Sequence, residues 1–245
     1  MKRLLSLLTL GALCHTAWAD APVHDLYELP LDELVRVQIP PQADVGSRDG
    51  AHSAPDAIVP IDVYTAEQLQ SVGTLQLAEA LAALVPGLNY PRPSIADGTD
   101  HAPPFMLRAL NPDQVLVLVN GKRQHQSSLL HMNGTIGRGS SGVDLNTIPL
   151  LAVERVEVLR DGAAAQYGSD AIAGIINIVL KGYGHGNQAL LGWGRTTAGD
   201  GLQRQAALFI TRPLAGDGFV NLTAELRDRG ATNLAQHDPP DGART

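Results

Sequence analysis

The chain has 245 residues and a formal net charge of −7, with 18 lysine and arginine residues against 25 aspartate and glutamate residues. This acidic balance disfavours a nucleic-acid partner, because such a partner selects a basic face. Aromatic residues make up 4% of the sequence, which is low for a complete transmembrane β-barrel with aromatic girdles. After residue 19 no apolar run approaches the ~20 residues of a membrane-spanning helix, so the sequence predicts no helical anchor.

The first 19 residues have the three parts of an export signal. Lys2-Arg3 is a basic start, residues 4–13 are apolar, and Ala17-Trp18-Ala19 has the small-x-small form of a cleavage site. We therefore predict a signal peptide over residues 1–19 and a mature chain that begins at Asp20. The single cysteine leaves with the signal, so the mature chain forms no disulfide.

Residues 20–55 have the composition of a tether. Prolines and scattered charges prevent any long periodic element there. Within this segment, residues 31–39 are the only stretch able to form a strand. The alternative is a spacer with one incidental apolar patch.

Residues 56–181 have the pattern of one α/β unit. A predicted strand, residues 58–64, precedes Thr65, which with Gln68 fits a capping box at the start of a helix. Thr74 can cap a second helix. The apolar face of that helix would be formed by Leu77, Leu81 and Leu84.

The middle of this unit contains a hairpin signal. The sequence predicts a strand over residues 105–110 and a second strand over residues 115–119. Asn120-Gly121 tolerates the positive φ angles of a type I′ turn, and it would lead the chain back into Lys122-Arg123.

Two long irregular loops, residues 91–104 and 124–143, are rich in hydrogen-bonding groups. The second loop contains His125, His131 and Met132, residue types that can bind a soft or borderline metal. Two histidines separated in this way within a loop fix no coordination geometry. We therefore expect polar contacts from these loops and assign no metal site.

Residues 137–142, Gly-Arg-Gly-Ser-Ser-Gly, match the pattern of a dinucleotide site. Such a site needs a strand before it, a long helix after it and an acidic residue about 20 positions later. Here Pro149 follows closely, and Glu157, at a plausible distance, belongs to a predicted strand. A glycine-rich loop is the favoured interpretation and a cofactor site the alternative. With no P-loop, HExxH, GxSxG or CxxC motif in the chain, we predict no cofactor and no enzymatic activity.

The run from Val153 to Lys181 carries the most information. Residues 153–160 are rich in residues that favour β-strands, and residues 175–180 form a nearly continuous apolar strand. Between them, Tyr167-Gly168 and Gly174 lie in a stretch of small residues that predicts a turn. The positions that fall on a known pattern are Glu154, Arg155, Glu157, Arg160, Tyr167, Gly168, Gly174 and Asn177.

On these residues the chain resembles the plug domain of TonB-dependent outer-membrane receptors. Two further phrases agree with the family, Leu81 to Gly87 at the end of the second helix and Val117 to Gly121 at the hairpin. The family usually has Arg-Gly after the strand that precedes the hairpin. This chain has Arg108-Ala109, and alanine restricts the backbone there.

Beyond Gly182 the pattern changes to alternation. Residues 188–195 and 202–212 are predicted strands. In a third strand, Val220, Leu222, Ala224 and Leu226 share one face, while Asn221, Thr223, Glu225 and Arg227 share the other. This period of two, apolar outside and polar inside, is typical of a transmembrane barrel strand. A small soluble sandwich packed on the α/β unit is the alternative.

Three strands cannot close a barrel, and plugged transporters need about 22. Open sheet edges are not tolerated in lipid. We therefore expect this chain to be the N-terminal part of a longer protein.

The resemblance implies a fold class. We expect an α+β plug domain, with a small mixed β-sheet and short helices, followed by the first antiparallel strands of a transmembrane β-barrel. The expected domains are a signal peptide (1–19), a periplasmic tether with a TonB-box region (20–55), the plug (56–181) and the first barrel strands (182–245).

The function that the resemblance implies is energised uptake of a scarce, bulky solute through the cell outer membrane, with no chemistry on the solute. The solute would be siderophore-like, cobalamin-like or an oligosaccharide, and a metal chelate is one such ligand. The implied partners are the energy-coupling protein TonB and outer-membrane lipid. The alternatives are a free-standing periplasmic binding or signalling module and a periplasmic enzyme that uses the glycine-rich loop.

In the family, a short tether segment called the TonB box adds as a strand to TonB through backbone hydrogen bonds. The candidates in this chain are Leu31, Asp32, Glu33, Leu34, Val35, Arg36 and Val37. Arg36 interrupts the run of valines that is commonest in the family.

The resemblance also implies roles for charged and polar residues. The candidates for ion pairs with the inner barrel wall are Arg108, Glu154, Arg155, Glu157 and Arg160. Ordinary solvation in the wet barrel lumen is the alternative for these side chains. The ligand-facing candidates in the two long loops are Arg92, Asp97, Asp100, His101, His125, His131 and Arg138.

Overall fold

The computed structural model describes most of the chain beyond residue 60. The described residues are 42–43, 52–53, 61–92, 98–99, 101–132, 136–160, 167–197, 199–216 and 218–232. The chain divides into two compact units, Met1–Pro40 and Pro41–Thr245, and all the described residues belong to the second. The predicted signal peptide and the TonB-box candidates lie outside the described residues. Within the described part of the chain, no helix is long and apolar enough to cross a membrane.

The helices and strands of the described residues follow one another in chain order. They are β1 (Gln42–Ala43), β2 (His52–Ser53), β3 (Ile61–Thr65), α1 (Ala66–Ser71), α2 (Leu77–Leu84), β4 (Leu88–Asn89), β5 (Met106–Leu107), β6 (Val115–Val119), β7 (Lys122–Arg123), β8 (Val153–Leu159), β9 (Gly174–Leu180), β10 (Gln188–Gly194), β11 (Gln203–Pro213) and β12 (Phe219–Arg229). Short 3-10 turns lie at Pro112–Gln114, Leu145–Thr147, Leu150–Ala152 and Ser169–Ala171.

Five strands form a mixed sheet in the order β3-β8-β9-β6-β7, which we call the plug sheet. β9 and β6 run parallel, whereas the other neighbouring pairs are antiparallel. A separate antiparallel sheet has the order β10-β11-β12, and we call its members the wall strands. The pairs β1-β2 and β4-β5 form two small additional sheets. The mixed sheet with short helices, followed by antiparallel strands, confirms the predicted fold class.

Both faces of the central strands of the plug sheet, β6, β8 and β9, are buried. On one face, the helices pack Leu69, Leu77 and Leu81 against Val156 and Ile176 of the central strands. On the other face, the apolar side chains that pack together are Leu116, Leu118, Leu159, Ala171 and Ile175. Strands covered on both faces have nearly continuous apolar sequences, which explains the run over residues 175–180. Each fully buried leucine or isoleucine contributes ~1.5–3 kcal/mol of transfer free energy.

The start of α1 forms the predicted capping box. The Thr65 hydroxyl accepts from the Gln68 backbone N–H at 3.4 Å, and the Gln68 side chain accepts from the Thr65 N–H at 2.9 Å. The predicted cap of α2 is wrong by two residues, because Gln76 precedes the helix directly. Thr74 instead accepts from the Gln76 N–H and donates to Glu79. The Glu79 carboxylate, in the first turn of α2, therefore holds the Thr74 hydroxyl, and Thr74 lies before the helix rather than at its cap.

The predicted type I′ hairpin is confirmed. Asn120 and Gly121 have φ angles of 49° and 74°, and they join Val119 of β6 to Lys122 of β7. The turn is also bonded to β9, since the Asn120 side chain accepts from the Leu180 N–H at 2.8 Å. The hairpin is therefore fixed by its own dihedral angles and by the neighbouring strand.

The predicted strand over residues 105–110 is too long. Only Met106–Leu107 is extended and paired with β4. Arg108 and Ala109 follow with φ angles of 57° and 61°, and the chain turns there so that Leu107 bridges to Leu110. Left-handed backbone at two residues that are not glycine is costly, so tertiary contacts must hold this turn.

The wall strands have two different faces. Exposed apolar side chains alternate along one face, and the most exposed are Leu191 (84%), Trp193 (87%), Leu222 (63%) and Leu226 (76%). The opposite face covers the plug, and there Ala207, Phe209 and Thr211 of β11 are buried. The alternation predicted for Val220 to Arg227 is therefore present in the structure.

Candidate functional site

A cleft of about 790 Å³ lies between the plug and one end of the wall strands. The plug residues that line it are Gln76, Tyr90, Arg92, His101, Pro103 and Asn146, and the wall residues are Thr196, Gln203, Gln205, Arg227, Asp228, Arg229, Gly230, Ala231 and Thr232. Four separate plug segments contribute: the start of α2, the chain after β4, the loop before β5 and the turn Leu145–Thr147. Their side chains meet because the plug sheet and helices bring these ends to one side of the domain.

On the plug side, Arg92 is held by three groups. It forms an ion pair with Glu79, donates to the Gln76 side chain at 3.1 Å, and lies 5.9 Å from the centroid of the Tyr90 ring. The Tyr90 hydroxyl accepts from the Asn146 amide at 2.7 Å, and burial raises the pKa of this phenol. Tyr90 therefore stays neutral at physiological pH and presents an aromatic body with a fixed hydroxyl.

On the wall side, Arg227 joins the strand to the plug. Its Nε lies 2.8 Å from Oε1 of Glu225, two residues earlier on the same face of β12. A terminal nitrogen of the same guanidinium donates to the Asn146 carbonyl at 3.0 Å. Plug and wall thus share one polar network at the base of the cleft.

The lining suits reversible binding of a polar solute. It combines arginines, amides, hydroxyls and one partly buried aromatic ring, which together offer many donors and acceptors in fixed positions. Within the described part of the chain, no group of three or more His, Cys, Asp or Glu side chains could hold a metal ion. The arrangement offers contacts for binding and orientation.

The structure places only some of the predicted ligand-facing residues in this cleft. Arg92 and His101 line it, whereas Asp97 and Asp100 lie outside the described residues. His125 and Arg138 are exposed on the second loop and do not line the cleft. Direct contact with a ligand stays a prediction for all of them. The cleft residues that the sequence did not indicate include Tyr90, Asn146, Gln203, Gln205 and Arg227.

His131 has an unexpected environment. It is 2% exposed, and its Nδ1 atom has no hydrogen-bond partner among the described residues. Burial lowers the pKa of this imidazole. Because His125 is exposed while His131 is enclosed, the two histidines of the loop occupy different environments.

Two of the three glycines in residues 137–142, Gly137 and Gly142, have a packing role. A Cβ atom on Gly137 would lie 2.5 Å from Cδ of Pro112, and one on Gly142 would lie 2.8 Å from its Cβ. The loop therefore approaches the turn Pro112–Gln114 as closely as only glycine allows. A short 3-10 turn, Leu145–Thr147, follows the loop where a dinucleotide site would have a long helix.

The charged residues predicted to contact the barrel wall form a network on the plug. Glu157 is fully buried, with its two oxygens at 2.9 Å from Nε of Arg155 and 3.0 Å from the amide of Asn177. The same Asn177 accepts from the Gly121 N–H at 3.0 Å. The buried carboxylate is thereby linked to the hairpin turn.

The remaining members lie around this network. Arg160 pairs with Asp62 at 2.6 Å, and Arg108 donates to the Arg160 carbonyl. Glu154 lies 3.2 Å from Arg155 and 3.4 Å from Nε2 of His185. The proposed role of these charges against the barrel wall stays a prediction.

Comparison with protein families gives one match that covers half of the chain. The model of the TonB-dependent Receptor Plug Domain matches residues 53–175. This range contains both helices, the hairpin and the plug sheet, except that β9 lies mostly beyond it.

Two curated relatives match over about three quarters of this chain. The chain is 28% identical over 187 residues to the vitamin B12 transporter BtuB of Vibrio vulnificus, covering 76% of this chain and 27% of the relative. It is 27% identical over 184 residues to the ferric enterobactin receptor of Pseudomonas aeruginosa, covering 74% of this chain and 24% of the relative. The chain spans about a quarter of the length of these relatives.

Solved structures agree on the fold. A mutant of the ferric enterobactin receptor PfeA of Pseudomonas aeruginosa, in complex with enterobactin, superposes with a TM-score of 0.55 at 24% identity, over 68% of this chain and 24% of its own. The ferric citrate transporter FecA in its unliganded form gives a TM-score of 0.55 at 19% identity, over 70% of this chain and 25% of its own.

Proposed function

This chain belongs to the TonB-dependent receptor family, and we propose that it supplies the plug and first wall strands of an outer-membrane receptor for energised solute uptake. One observation carries the proposal. The wall strands expose apolar side chains on one face and cover the plug with the other, which suits a strand placed between lipid and a plugged lumen.

The same observation argues against a free-standing periplasmic module. A soluble module would bury both faces of the wall strands, yet Leu191 and Trp193 are almost fully exposed. Contiguous exposed apolar surface marks a contact with lipid or with another protein. Alternation at every second residue along three neighbouring strands favours outer-membrane lipid as that contact.

The cleft is the proposed place of solute binding on this part of the receptor. The relatives' names specify vitamin B12 and ferric enterobactin, both bulky solutes. A cleft of about 790 Å³ with many hydrogen-bonding groups can hold a large part of such a molecule. We therefore propose a metal-chelate or similar polar solute as the cargo, bound without any covalent step.

TonB is the proposed energy-coupling partner, and residues 31–37 are the proposed contact. An extended segment binds a sheet edge through its backbone, so the identities of its side chains matter less than its free N–H groups. This makes the proposal testable with two substitutions at one position.

In a receptor that contains the complete barrel, Val35→Pro removes one N–H and restricts the preceding residue, so uptake should be lost while solute binding is retained. Val35→Ala keeps the N–H and should retain uptake. Cells that express each variant would be assayed for uptake of radiolabelled cyanocobalamin and of ferric enterobactin. Equal uptake by the proline variant and the parent would contradict the TonB contact.

The cleft is tested by binding. Arg92→Met should weaken the binding of whichever probe the purified receptor accepts, because the substitution removes a cleft donor and the charge over Tyr90. Arg138→Met is the matched control, since Arg138 is exposed and does not line the cleft. Titration calorimetry with the same two probes gives the affinities. If only Arg138→Met weakened the binding of the probe, the binding site would be assigned to the second loop.

A further inference from the structure

The inner face of the wall strands is polar except at one place. Its polar members are Gln188, Gln203, Gln205, Thr211, Asn221, Thr223, Glu225 and Arg227. The exceptions are Leu190, Ala207 and Phe209, which lie on neighbouring strands β10 and β11. They form an apolar island on a surface that is otherwise built for water or hydrogen bonds.

The plug presents an apolar island at the same place. Leu75 lies between the two helices and Leu151 in the turn that leads into β8, and both pack against Ala207 and Phe209. Phe209 is 1% exposed, which makes it the most deeply buried member of this cluster. Both plug leucines are nearly as enclosed. Water is therefore excluded from this contact on both sides.

Lys181, the residue after β9, packs against the same ring. Its ammonium lies 5.2 Å from the centroid of Phe209 and donates to the Gln188 side chain at 2.7 Å. The backbone of Lys181 donates to the Ala152 carbonyl at 2.9 Å and accepts from the Asn221 amide at 2.6 Å. Residue 181 is thus bonded to the plug and to two wall strands beside the ring.

The charge of Lys181 contributes little to the attachment between the plug and the wall strands. Burial lowers the pKa of this lysine although Glu67 and Glu154 raise it, so taking the ammonium out of water costs more than these neighbours return. The Phe209 ring and the side-chain oxygen Oε1 of Gln188 offset part of that cost. The favourable contribution to the contact therefore comes mainly from the apolar side chains.

We propose that Phe209 is the anchor by which the barrel wall holds the plug. A buried aromatic side chain that fills a pocket between two leucines has the properties of a hot spot, where a few residues carry most of the attachment. The ion pair of Arg160 with Asp62 joins two plug residues, so it does not contribute to this attachment. The anchor holds the plug where β8 begins and β9 ends.

The anchor can be tested in a receptor with the complete barrel, in detergent micelles and without any transported solute. Phe209→Ala removes the ring, whereas Leu208→Ala removes the side chain of the preceding residue, which faces outward from the same strand. Amide hydrogen exchange by mass spectrometry would follow peptides that contain Ala152 and Lys181, whose N–H groups donate to the carbonyls of Pro149 and Ala152. Exchange there should become at least about tenfold faster in Phe209→Ala and stay unchanged in Leu208→Ala. Exchange in β6 should be unchanged in both variants.

Three further variants separate an anchor from general damage. Leu151→Ala removes the contact from the plug side and should give the same acceleration, and combining it with Phe209→Ala should add little. Phe209→Leu keeps an apolar side chain and should restore most of the protection. Lys181→Met should leave exchange within about threefold of the parent. Normal protection in both Phe209→Ala and Leu151→Ala would overturn the proposal. If protection from exchange were lost only in Lys181→Met, the attachment would be assigned to the charge of Lys181.

Discussion

The plug sheet and the wall strands are both β-structure, but they bury their side chains differently. In β9 the isoleucines at positions 175, 176 and 178 point to opposite faces, and all of them are fully buried. In β12 every second side chain from Val220 to Leu226 is exposed, and those exposed are apolar. One sheet is enclosed by protein on both faces, whereas the other has protein on one face only.

This difference shows what the sequence pattern reports. An unbroken apolar run predicts a strand with two covered faces, and alternation predicts a strand with two different environments. When the exposed half of an alternating strand is apolar, that side is suited to an apolar environment, and the proposed environment is outer-membrane lipid. The following predictions test the two environments, from the largest expected effect to the smallest.

The outer face should reject charge. In a receptor with the complete barrel, Leu222→Arg should cost ~2–4 kcal/mol of assembly free energy if the position lies near the bilayer midplane. Gln205→Arg is the control, because Gln205 faces the cleft on the inner side and has room for a longer side chain. The fraction of receptor that resists sodium dodecyl sulfate without heating would be measured. Equal assembly of both variants would mean that the outer face does not meet lipid.

Within the plug sheet, the buried carboxylate should depend on its donors. Asn177→Leu removes the amide that donates to Glu157 and the acceptor for the Gly121 N–H. A hydrogen bond to a buried charged group is worth ~1.5–3 kcal/mol, so the free energy of unfolding should fall by about that amount. Urea unfolding of the 245-residue chain, monitored by amide hydrogen exchange in β8 and β9, gives the change in the free energy of unfolding. Ile178→Val, a milder change on the same strand, should cost only ~0.5–1.5 kcal/mol.

Two of the positive-φ turns of the plug, at Ala109 and at Gly121, should respond to substitution in opposite directions. Ala109→Gly relieves left-handed backbone at φ 61° and should stabilise the plug by ~0.5–1 kcal/mol after the entropy cost of glycine. Gly121→Ala introduces the same strain at φ 74° and should destabilise it by ~1 kcal/mol. Midpoints of urea unfolding provide the comparison. If the urea midpoint moved in the same direction in both variants, backbone strain would not be the cause.

The smallest effect concerns pH. Burial lowers the pKa of His131 below its ordinary value of 6.5, so below that pH the unfolded chain binds a proton that the folded loop excludes. Stability from this residue is therefore constant above pH 6.5 and declines as the pH falls through the lowered pKa. His131→Asn should remove this part of the decline, whereas His125→Asn, at an exposed position, should not. Unfolding midpoints at several pH values between about 5 and 8 test the difference.

Local chemistry made parts of the fold predictable. The capping box at Thr65 and the type I′ turn at Asn120-Gly121 depend on residues within a few positions of one another, and both are present. Alternation in β12 depends only on the period of the strand. The left-handed turn at Ala109 was missed, because alanine seldom adopts that conformation without tertiary contacts to hold it.

The cleft was harder to predict, because its residues come from distant parts of the sequence. Tyr90, Asn146 and Arg227 meet only after the plug has folded against the wall, and none of them belongs to a motif. The loops themselves were expected to face a ligand, and Arg92 and His101 do line the cleft. Glu157 illustrates the same limit, since its sequence pattern did not show that Asn177 would enclose it within the plug sheet.

The central claim is that the wall strands separate lipid from a plugged lumen, and one measurement tests it directly. Nitroxide labels would be placed singly at residues 219–229 of a receptor with the complete barrel, reconstituted in phospholipid vesicles. Accessibility to oxygen, which partitions into lipid, would be compared with accessibility to a water-soluble nickel complex at every position. The account predicts oxygen maxima at Val220, Leu222, Ala224 and Leu226, with minima at the residues between them. Uniform accessibility, or maxima at Asn221, Thr223 and Glu225, would contradict it.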